Sequence, residues 1–438
     1  MRSQSSGLAE DAPSEDGIKQ PALWGCQPEP QMETYALTFR DKGEIAVSKI
    51  AIKEDIFWVG VKDPDRAVFD GLLPLPQGTT YNSYLVVGSE KTALVDTCEP
   101  EFLDELLANL DGVEKIDYIV SHHAEQDHSG SIPHLLEKFP ESTLLCLQKN
   151  KQLLQDLMPI PDDRVLVVED EGEISLGNKT IRFMFCPWVH WPETAITYIP
   201  EDKVLFPCDF LGSHYCWDNI FAGDDPMVYK GAKEYYVQIM MLYSKMTAKH
   251  LDRIKALDIE TICPSHGSVY DKPQIILDLY EKWMRGAPEN MALIGYVSAH
   301  GSTKLMAEQL QTSLEERGVN VELHDLVTVP LNELAGLLTD AATIVLGSSV
   351  IMAALHPVAV NTAFLLDRLK PKAPFAAVIG SYGWSPGPLK KAAELFPAWK
   401  VDLVGNVITK GHPSEEAMHE LDELAEAIAA KHKEAGLF

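Results

Sequence analysis

The chain has 438 residues, of which 46% are hydrophobic and 8% aromatic. This length and composition are typical of a globular protein of two or three domains and exclude an intrinsically disordered one. The 65 acidic residues outnumber the 37 basic ones, and the formal charge of −28 argues against nonspecific binding to nucleic acid or to an anionic membrane, because both require positive potential.

The seven cysteines are scattered and include no C-x-x-C pair. The sequence therefore predicts neither a disulfide framework nor a zinc ribbon. It also has no apolar run of the roughly 18 residues that a membrane span needs, and no charged-then-apolar signal at the N-terminus. These observations predict a soluble cytoplasmic protein without a nucleic-acid or membrane partner.

Composition divides the chain into three regions. Residues 1–33 are rich in Ser, Gln, Glu, Pro and Gly, which predicts an extension that does not fold independently. Residues 34–286 form the first predicted domain and 291–438 the second. The first domain opens with predicted strands at 35–61, and its next strands are predicted at 78–87 and 91–97.

Helix and strand patterns alternate through the rest of the first domain. The predicted helices cover 101–110, 132–139, 149–158, 227–257 and 275–285. The predicted strands cover 116–120, 143–147, 165–168 and 180–185. Within 227–257, one helical face is predicted to pack into the core: Tyr235, Ile239, Met240, Tyr243 and Met246.

Four potential metal ligands lie within six positions, directly after the strand predicted at 116–120: His123, Glu125, Asp127 and His128. In a tight loop this spacing sends alternate side chains to different sides, so one pair can hold one metal ion and the other pair a second. A solvated surface turn is the alternative for a single histidine beside an acid. Four ligands in one turn favour a metal site.

Three further ligand candidates follow predicted strands later in the domain. They are His190, Asp209 and His266. Loops at strand ends are where active-site residues collect. The pattern predicts a two-metal geometry.

A different pattern begins at residue 291. A short apolar run at 291–297, typical of a strand buried on both faces, precedes a loop of small polar residues and a helix that ends near Gly318. Backbone N–H groups and hydroxyls at such a helix start can bind a phosphate, although the same residues also cap ordinary helices. Two later loops, 347–352 and 380–387, follow the strands predicted at 343–346 and 375–379 in the same way. Doubly wound parallel sheets bind ligands at these carboxyl ends.

The metal-ligand motif and the last loop together resemble the flavodiiron proteins (A-type flavoproteins) of the metallo-β-lactamase superfamily. The motif His-x-Glu-x-Asp-His at 123–128 matches this family, whereas hydrolytic members of the superfamily usually carry His-x-His-x-Asp-His and bind zinc. The loop Gly-Ser-Tyr-Gly-Trp at 380–384 is similar to the family's flavin loop. The resemblance implies an α/β fold, with a metallo-β-lactamase-like αββα sandwich followed by a flavodoxin-like doubly wound parallel sheet.

The resemblance also implies the role of each metal ligand. His123, Glu125 and His190 would hold one iron, and Asp127, His128 and His266 the other. Asp209 would bridge the two ions. Asp96, in the strand predicted at 91–97, is expected to brace the metal loop rather than to bind metal. His214, five residues after Asp209, is predicted to be a hydrogen-bond partner or proton donor at the site, and a histidine on a surface loop is the alternative.

By the same resemblance the second domain binds flavin mononucleotide (FMN). The implied contacts are Ser298, His300, Gly301, Ser302, Thr303, Ser348, Ser349, Val350, Ile351, Met352, Ser381, Tyr382, Gly383, Trp384, Ser385 and Gly387. Three positions depart from the usual family pattern: Ala299-His300 replaces Met-Trp, Met352-Ala353-Ala354 stands where Asn is frequent, and Ser385-Pro386 interrupts a run of glycines. None of these departures removes a phosphate donor.

The activity implied is that of an oxidoreductase that reduces dioxygen to water, nitric oxide to nitrous oxide, or both, with oxygen as the favoured oxidant. Because no rubredoxin-like C-x-x-C pairs are fused to the chain, electrons would come from a separate donor such as rubredoxin, a reduced deazaflavin or a nicotinamide system. A head-to-tail homodimer or homotetramer is expected. The alternatives are a zinc hydrolase with an appended flavodoxin-like domain and a flavodoxin-like electron carrier with a structural metal site.

Overall fold

A computed structural model describes residues 49–438. The predicted extension at 1–33 and the first part of the strands predicted at 35–61 lie outside the described residues. Within residues 49–438, no helix is both long enough and apolar enough to cross a membrane.

The first of three main sheets has seven strands and mixed direction. In spatial order its strands are Ile50–Lys53, Ile56–Trp58, Tyr84–Val87, Thr92–Val95, Tyr118–Val120, Thr143–Cys146 and Val165–Val167. The first four pair antiparallel and the remainder pair parallel. The later strands pair in parallel because a helix connects each of them to the next. A parallel pair needs such a crossover connection.

The second sheet has five strands and packs face to face on the first. Its strands, in spatial order, are Glu173–Ser175, Thr180–Phe185, Ala195–Ile199, Val204–Phe206 and Thr261–Ile262. One buried cluster joins the two sheets: Trp58 and Tyr84 come from the first sheet, and Phe183 and Phe206 from the second. The rings of Tyr84 and Phe206 are 5.2 Å apart. The two inner faces thus form a sandwich core.

Helices cover both outer faces of the sandwich. On the first sheet these are Leu103–Asn109, Ile132–Lys138 and Gln148–Leu157, and on the second Pro226–Tyr235, Ser244–Lys255 and Pro273–Arg285. The predicted αββα sandwich is confirmed. Two small hairpins lie beside it: Val61–Asp63 pairs with Thr79–Tyr81, and Val68–Phe69 pairs with Leu73–Pro74.

The helix predicted at 227–257 is interrupted. A π-helical turn at Tyr236–Met240 and a 3-10 turn at Met241–Tyr243 separate its two α-helical parts. Each change of winding rotates the following residues away from the 3.6-residue period. Tyr235 and Met240 are buried as predicted, but Met246 is 41% exposed, so its predicted place in the core is wrong.

The third sheet contains five parallel strands, with a two-residue antiparallel strand, Ala354–Leu355, beside the central one. In spatial order the five are Asn320–Asp325, Glu289–Val297, Ala341–Ile351, Phe375–Tyr382 and Asp402–Lys410. This is the 2-1-3-4-5 order of flavodoxin-like folds, which confirms the predicted architecture. The domain boundaries 34–286 and 291–438 stay predictions.

Helices cover both faces of this parallel sheet. Ser302–Glu315 and Glu415–Glu434 pack on one face, and Leu331–Leu337 and Pro357–Leu369 on the other. The central strand runs five residues further than the predicted 343–346. Residues 347–351 were predicted to be loop, and this is wrong because Ser348 and Ser349 continue the parallel pairing with Gly380 and Ser381.

Candidate functional site

The seven predicted metal ligands lie in loops that follow strands of both sandwich sheets. One loop follows Tyr118–Val120 of the first sheet, and three others follow strands of the second sheet. In loop order the ligands are His123, Glu125, Asp127 and His128; then His190; then Asp209; then His266. The parallel pairing of Val204–Phe206 with Thr261–Ile262 brings the last two loops side by side.

One group of candidate ligands consists of His123, Glu125, His190 and Asp209, whose ligand atoms lie within 4.8 Å of one another. Glu125 Oε2 is 3.0 Å from His123 Nε2 and 3.2 Å from His190 Nε2. Asp209 Oδ2 is 2.9 Å from His190 Nε2 and 3.3 Å from His123 Nε2. Two imidazoles and two carboxylates thus converge on one point.

A second group consists of Asp127, His128 and His266. Asp127 Oδ2 is 3.2 Å from His266 Nε2 and 3.5 Å from His128 Nε2. The rings of the two histidines are 4.6 Å apart. All three side chains are buried.

Asp209 contacts both groups through different oxygens. Its Oδ2 faces His190 and His123, whereas its Oδ1 lies 2.9 Å from His128 Nε2 and 3.5 Å from His266 Nε2. A carboxylate in this position can bridge two cations. The structure thus brings all seven predicted ligands together, in the two groups that the sequence suggested.

Several polar atoms of the site are buried without a hydrogen-bond partner among residues 49–438. They are both carboxylate oxygens of Asp127, both ring nitrogens of His128, and Asp209 Oδ1. His128 Nε2 and Asp209 Oδ1 are close but not aligned for a hydrogen bond with each other. Buried polar groups without partners are costly, and cations held between them would satisfy them. The donor set therefore fits metal ions.

Mutual charge shifts the pKa values at the site. Burial opposes ionisation of Asp209, but the nearby His128 and the hydrogen bond to His123 hold the pKa of Asp209 well below its ordinary value. Burial likewise disfavours the charged form of His128, yet Asp127 and Asp209 raise the pKa of His128 to about 10. Cations bound here would compete with protons for these imidazoles, as metal binding generally does.

A buried carboxylate that the sequence did not predict, Glu193, orients the first group. Its Oε1 is 3.1 Å from His123 Nδ1 and also accepts a hydrogen bond from the Ala124 backbone N–H at 3.1 Å. A carboxylate on the outer nitrogen fixes the ring tautomer of a metal-binding histidine and increases its basicity. The available sequence signal is the acid three residues after His190 in His-Trp-Pro-Glu.

A second support for the ligand loops is built on Asp96. Its carboxylate accepts from the His122 backbone N–H, contacts His122 Nδ1 at 2.7 Å and accepts from Ser265 Oγ at 3.1 Å. His122 Nε2 in turn is 2.9 Å from Thr197 Oγ1. Both His122 and Ser265 adjoin predicted ligands. These hydrogen bonds match the expectation that Asp96 braces the metal loop.

His214 is buried, so its alternative reading as a surface-loop residue is wrong. Its Nδ1 is 2.9 Å from Thr79 Oγ1, and its ring lies 4.9 Å from that of His266. Burial and then the nearby His266 lower the pKa of His214 well below its ordinary value. A neutral imidazole suits the hydrogen-bonding role, and the role itself stays a prediction.

Asp70, which the sequence did not predict, is an acid near the metal groups. It occupies the turn of the hairpin formed by Val68–Phe69 and Leu73–Pro74, with a positive φ of 52°. Loss of water contact, and then repulsion from Glu125 and Asp127, raises the pKa of Asp70. No pattern in the sequence marked this residue.

The predicted flavin contacts lie at the carboxyl ends of three neighbouring parallel strands. Ser298, His300 and Gly301 precede the helix Ser302–Glu315, and Gly301 has a positive φ of 87° at its start. Thr303 Oγ1 is 3.0 Å from Ser381 Oγ, which joins the first loop to the third.

The second loop supplies Ser348, Ser349, Val350 and Ile351, all within the strand Ala341–Ile351. Ser348 Oγ donates to Ser349 O and accepts from the His356 N–H. In the part of the chain that the structure describes, the hydroxyls of Ser298 and Ser349 are buried without a hydrogen-bond partner. These hydroxyls could donate hydrogen bonds to a bound phosphate or flavin ring.

Two apolar side chains beside these loops are exposed. Met352 is 87% exposed and Trp384 is 82% exposed. The remaining predicted contacts of the third loop are Ser381 and Tyr382, at the end of the strand Phe375–Tyr382, followed by Gly383, Ser385 and Gly387. Within residues 49–438, no hydrogen bond, ion pair or ring contact joins a predicted flavin contact to a predicted metal ligand. The two candidate sites are separate in one chain.

Comparison with known proteins gives matches along most of the chain. Residues 79–267 match the family described as "ODP family beta lactamase". A nitric oxide reductase of Moorella thermoacetica is 33% identical over 396 residues, which cover 87% of this chain and 98% of that protein. The flavo-diiron protein FprA2 of Clostridium acetobutylicum is 31% identical over 353 residues, covering 77% and 87%.

Solved structures agree with the sequence relatives. Rubredoxin oxygen:oxidoreductase from Desulfovibrio gigas superposes with a TM-score of 0.84 at 28% identity, covering 88% of this chain and 99% of that one. The identity, the coverage and the shared two-part fold lead to one conclusion: this chain belongs to the flavodiiron protein family, the type A flavoproteins.

Proposed function

We propose that this protein is an oxidoreductase that reduces dioxygen to water, nitric oxide to nitrous oxide, or both, at a non-haem di-iron site supplied with electrons by FMN. The observation that carries the proposal is the position of Asp209, whose two carboxylate oxygens contact different groups of imidazoles. A carboxylate shared in this way would help the two groups to hold two cations close together.

His123, Glu125 and His190 would hold one iron, and Asp127, His128 and His266 would hold the other, with Asp209 shared between them. Glu125 replaces the imidazole that hydrolytic relatives use. The additional carboxylate makes the site harder and more anionic, which suits iron that cycles between its ferrous and ferric forms better than a zinc-bound hydroxide.

When bound, a ferrous pair and reduced FMN supply the four electrons that convert dioxygen and four protons to two waters, or the two electrons that convert two nitric oxide molecules and two protons to nitrous oxide and water. The chain itself provides a buried, rigid site for this chemistry. Glu193 keeps His123 in one orientation through Nδ1. The His266 ring is fixed in the same way, because its Nδ1 donates to Thr80 O at 2.7 Å.

We assign FMN to the three loops of the parallel sheet. The hydroxyls of Ser298, Ser302 and Thr303, together with the backbone at the start of the helix Ser302–Glu315, suit the phosphate. Trp384 and Met352 suit the flavin ring, because both expose large apolar surface beside these loops.

The electron donor in this proposal is a separate protein or reduced cofactor. The Desulfovibrio gigas enzyme is named for rubredoxin, and a reduced deazaflavin or nicotinamide system would serve the same need. The active assembly is a head-to-tail homodimer or homotetramer, in which the flavin of one subunit lies beside the metal site of another. A cytoplasmic location is consistent with the free thiols of six cysteines among the described residues.

The central test is the cofactor content of protein from its native source. We expect about two irons and one FMN per chain, as follows from seven ligands and three flavin loops. Stoichiometric zinc with no flavin would contradict the proposal and support the zinc hydrolase. That alternative is disfavoured by Glu125 and by the oxidoreductase names of the relatives.

Assembly is tested separately by light scattering and gas turnover at decreasing protein concentration. We expect a dimer or tetramer, and a monomer that turns over at full rate would contradict the head-to-tail arrangement.

For the oxidant, we propose dioxygen as the main substrate and nitric oxide as a secondary one. Stopped-flow oxidation of the reduced enzyme by each gas tests this, with His214→Ala as the variant. We expect faster reaction with dioxygen, water rather than peroxide as the product, and slower oxidation in His214→Ala. Much faster turnover of nitric oxide would reverse the preference without affecting the di-iron assignment.

A further inference from the structure

An apolar cavity of about 280 Å³ lies where the parallel sheet meets the sandwich. Leu293 and Leu346 of the sheet form its floor, and the helices Leu331–Leu337 and Pro357–Leu369 form its sides. Leucine dominates the lining. The polar side chains that reach it are Gln238, Thr362 and Arg368.

The two helices beside the cavity differ in length. Leu331–Leu337 has 7 residues, whereas Pro357–Leu369 on the same face of the sheet has 13. Leu293 and Leu346 at the floor are only 4% and 3% exposed, so the open part of the cavity lies above them, beside Leu72 and Phe364. The hairpin residues Leu72 and Leu73 from the sandwich side complete the lining.

That hairpin also contacts the metal-site residues. The Phe69 ring lies 4.7 Å from the His214 ring and 5.9 Å from the ring of the predicted ligand His266. Three and four residues later, Leu72 and Leu73 line the cavity. One short hairpin therefore separates the cavity from the metal site.

The irregular helical segment makes a second connection. The Tyr235 ring is 4.9 Å from His214 and 6.1 Å from His266. Gln238, in the π-helical turn Tyr236–Met240 directly after it, lines the cavity. Two independent elements therefore contact both places.

The lining determines what the cavity can hold. Ordered water needs two to four polar partners, which a leucine-lined surface does not provide, and an apolar cavity of roughly 150 Å³ in another protein stays dry and binds xenon or benzene. Dioxygen and nitric oxide are small, uncharged molecules that prefer apolar surroundings to water. The cavity matches these molecules in polarity and is large enough to hold more than one of them.

We propose that this cavity is a binding site for small apolar gas molecules and holds dioxygen or nitric oxide next to the di-iron site. Gas enters from the solvent side beside Leu72 and Phe364, which are 51% and 57% exposed. It reaches the metal site by displacement of the Phe69–Leu73 hairpin. This inference rests on the proposed function for the identity of the gas.

Xenon is the direct probe, because it binds apolar cavities without taking part in the reaction. Crystals of the full-length protein with its cofactors, pressurised with xenon, are expected to show an anomalous peak between the two helices. Xenon at other positions with none in this cavity would overturn the proposal. The wild-type protein alone suffices for this measurement.

Two filling variants from opposite sides of the cavity sharpen the test. Ala335→Phe and Thr362→Phe place a ring in the cavity, and Ala430→Phe puts the same side chain on the exposed face of the C-terminal helix. We expect xenon binding to be lost in both filling variants and kept in the control. We also expect kcat/KM for dioxygen to fall about threefold or more in the filling variants only.

Oxidation of the reduced protein by ferricyanide, a charged oxidant that does not enter an apolar cavity, is expected to be unchanged in all three variants. Unchanged kcat/KM for both gases in correctly folded filling variants would overturn the proposal. A wild-type protein that binds xenon in the cavity but reduces neither gas would instead contradict the proposed function. The two failures are therefore distinguishable.

Discussion

The candidate metal site and the candidate flavin site are both built from loops at strand ends, but they differ in how far the chain alone completes them. Five of the seven metal-site side chains are buried, Glu125 and His190 are partly buried, and Glu193 and the Thr80 carbonyl contact the outer nitrogens of His123 and His266. Beside the flavin loops, Met352 and Trp384 are almost entirely exposed. The metal site is preorganised by its own domain, whereas the flavin site needs additional surface to cover it.

This difference has an energetic origin. Seven charged or polar ligands gathered in a buried space require support from the surrounding fold, since unsupported buried charges are costly. A phosphate and an aromatic ring can instead bind to backbone groups and a few side chains at a surface. We therefore expect substitutions at the metal site to have larger effects than substitutions at the flavin loops.

The largest effect is expected for Asp209→Asn. Because both groups share this carboxylate, its loss removes a ligand from each ion and one negative charge from the site. We expect iron to fall below about half of the wild-type content and gas reduction to be lost, while flavin is retained. Asp163→Asn on the surface is the matched control. Full iron content in Asp209→Asn would show that the carboxylate does not bridge.

A smaller effect is expected for Glu193→Gln. The neutral amide keeps the size of the side chain but weakens the hydrogen bond that orients His123, and such substitutions reduce metal affinity by roughly 10- to 100-fold. Competition with a chelator measures this affinity, and FMN content is expected to stay unchanged. The control is Glu137→Gln on the helix Ile132–Lys138, where the side chain is exposed. An iron affinity equal to that of the control would contradict the orienting role.

These two residues illustrate what the sequence could predict. Asp209 was identifiable because it follows a strand and completes a family motif. Glu193 reaches His123, a residue 70 positions earlier, only through the packing of the two sheets, and no local spacing predicts that contact. The sequence thus predicted the motif residues and one residue that supports them, Asp96, but not Glu193, which reaches the site from the other sheet.

The fold shows the same limit in particular elements. The strand Thr180–Phe185 was predicted with the bounds that the structure has, because its apolar run is clear. Residues 347–351 have the composition of a loop, yet pairing with neighbouring strands on both sides keeps them extended. The π-helical turn at Tyr236–Met240 displaced Met246 from the predicted core, and a periodicity of 3.6 residues does not anticipate such a turn.

At the flavin loops, Thr303→Val tests whether hydroxyls bind the cofactor. The change removes the Thr303–Ser381 contact and one hydroxyl at the start of the helix, while it keeps the side-chain volume. Loss of a hydrogen bond to the charged phosphate is expected to reduce FMN affinity about tenfold or more. Iron content is expected to be unaffected. Thr312→Val, on the same helix and exposed, is the control. Flavin fluorescence on dilution measures FMN release, and equal release from both variants would contradict the assignment of this loop.

The smallest effect is expected for Trp384→Ala. Because the ring is 82% exposed, its removal should change the free energy of unfolding of the flavin-free protein by less than about 0.5 kcal/mol. Loss of an aromatic contact with the flavin ring should weaken FMN binding by only about two- to tenfold. Phe438→Ala, an exposed aromatic residue beside Gly318 and past the C-terminal end of the helix Ser302–Glu315, is the control and should leave FMN affinity unchanged. A strong destabilisation of the flavin-free protein by Trp384→Ala would mean that the Trp384 ring packs against the protein rather than waiting for flavin. The contrast between a self-supported metal site and an open flavin site would then no longer hold.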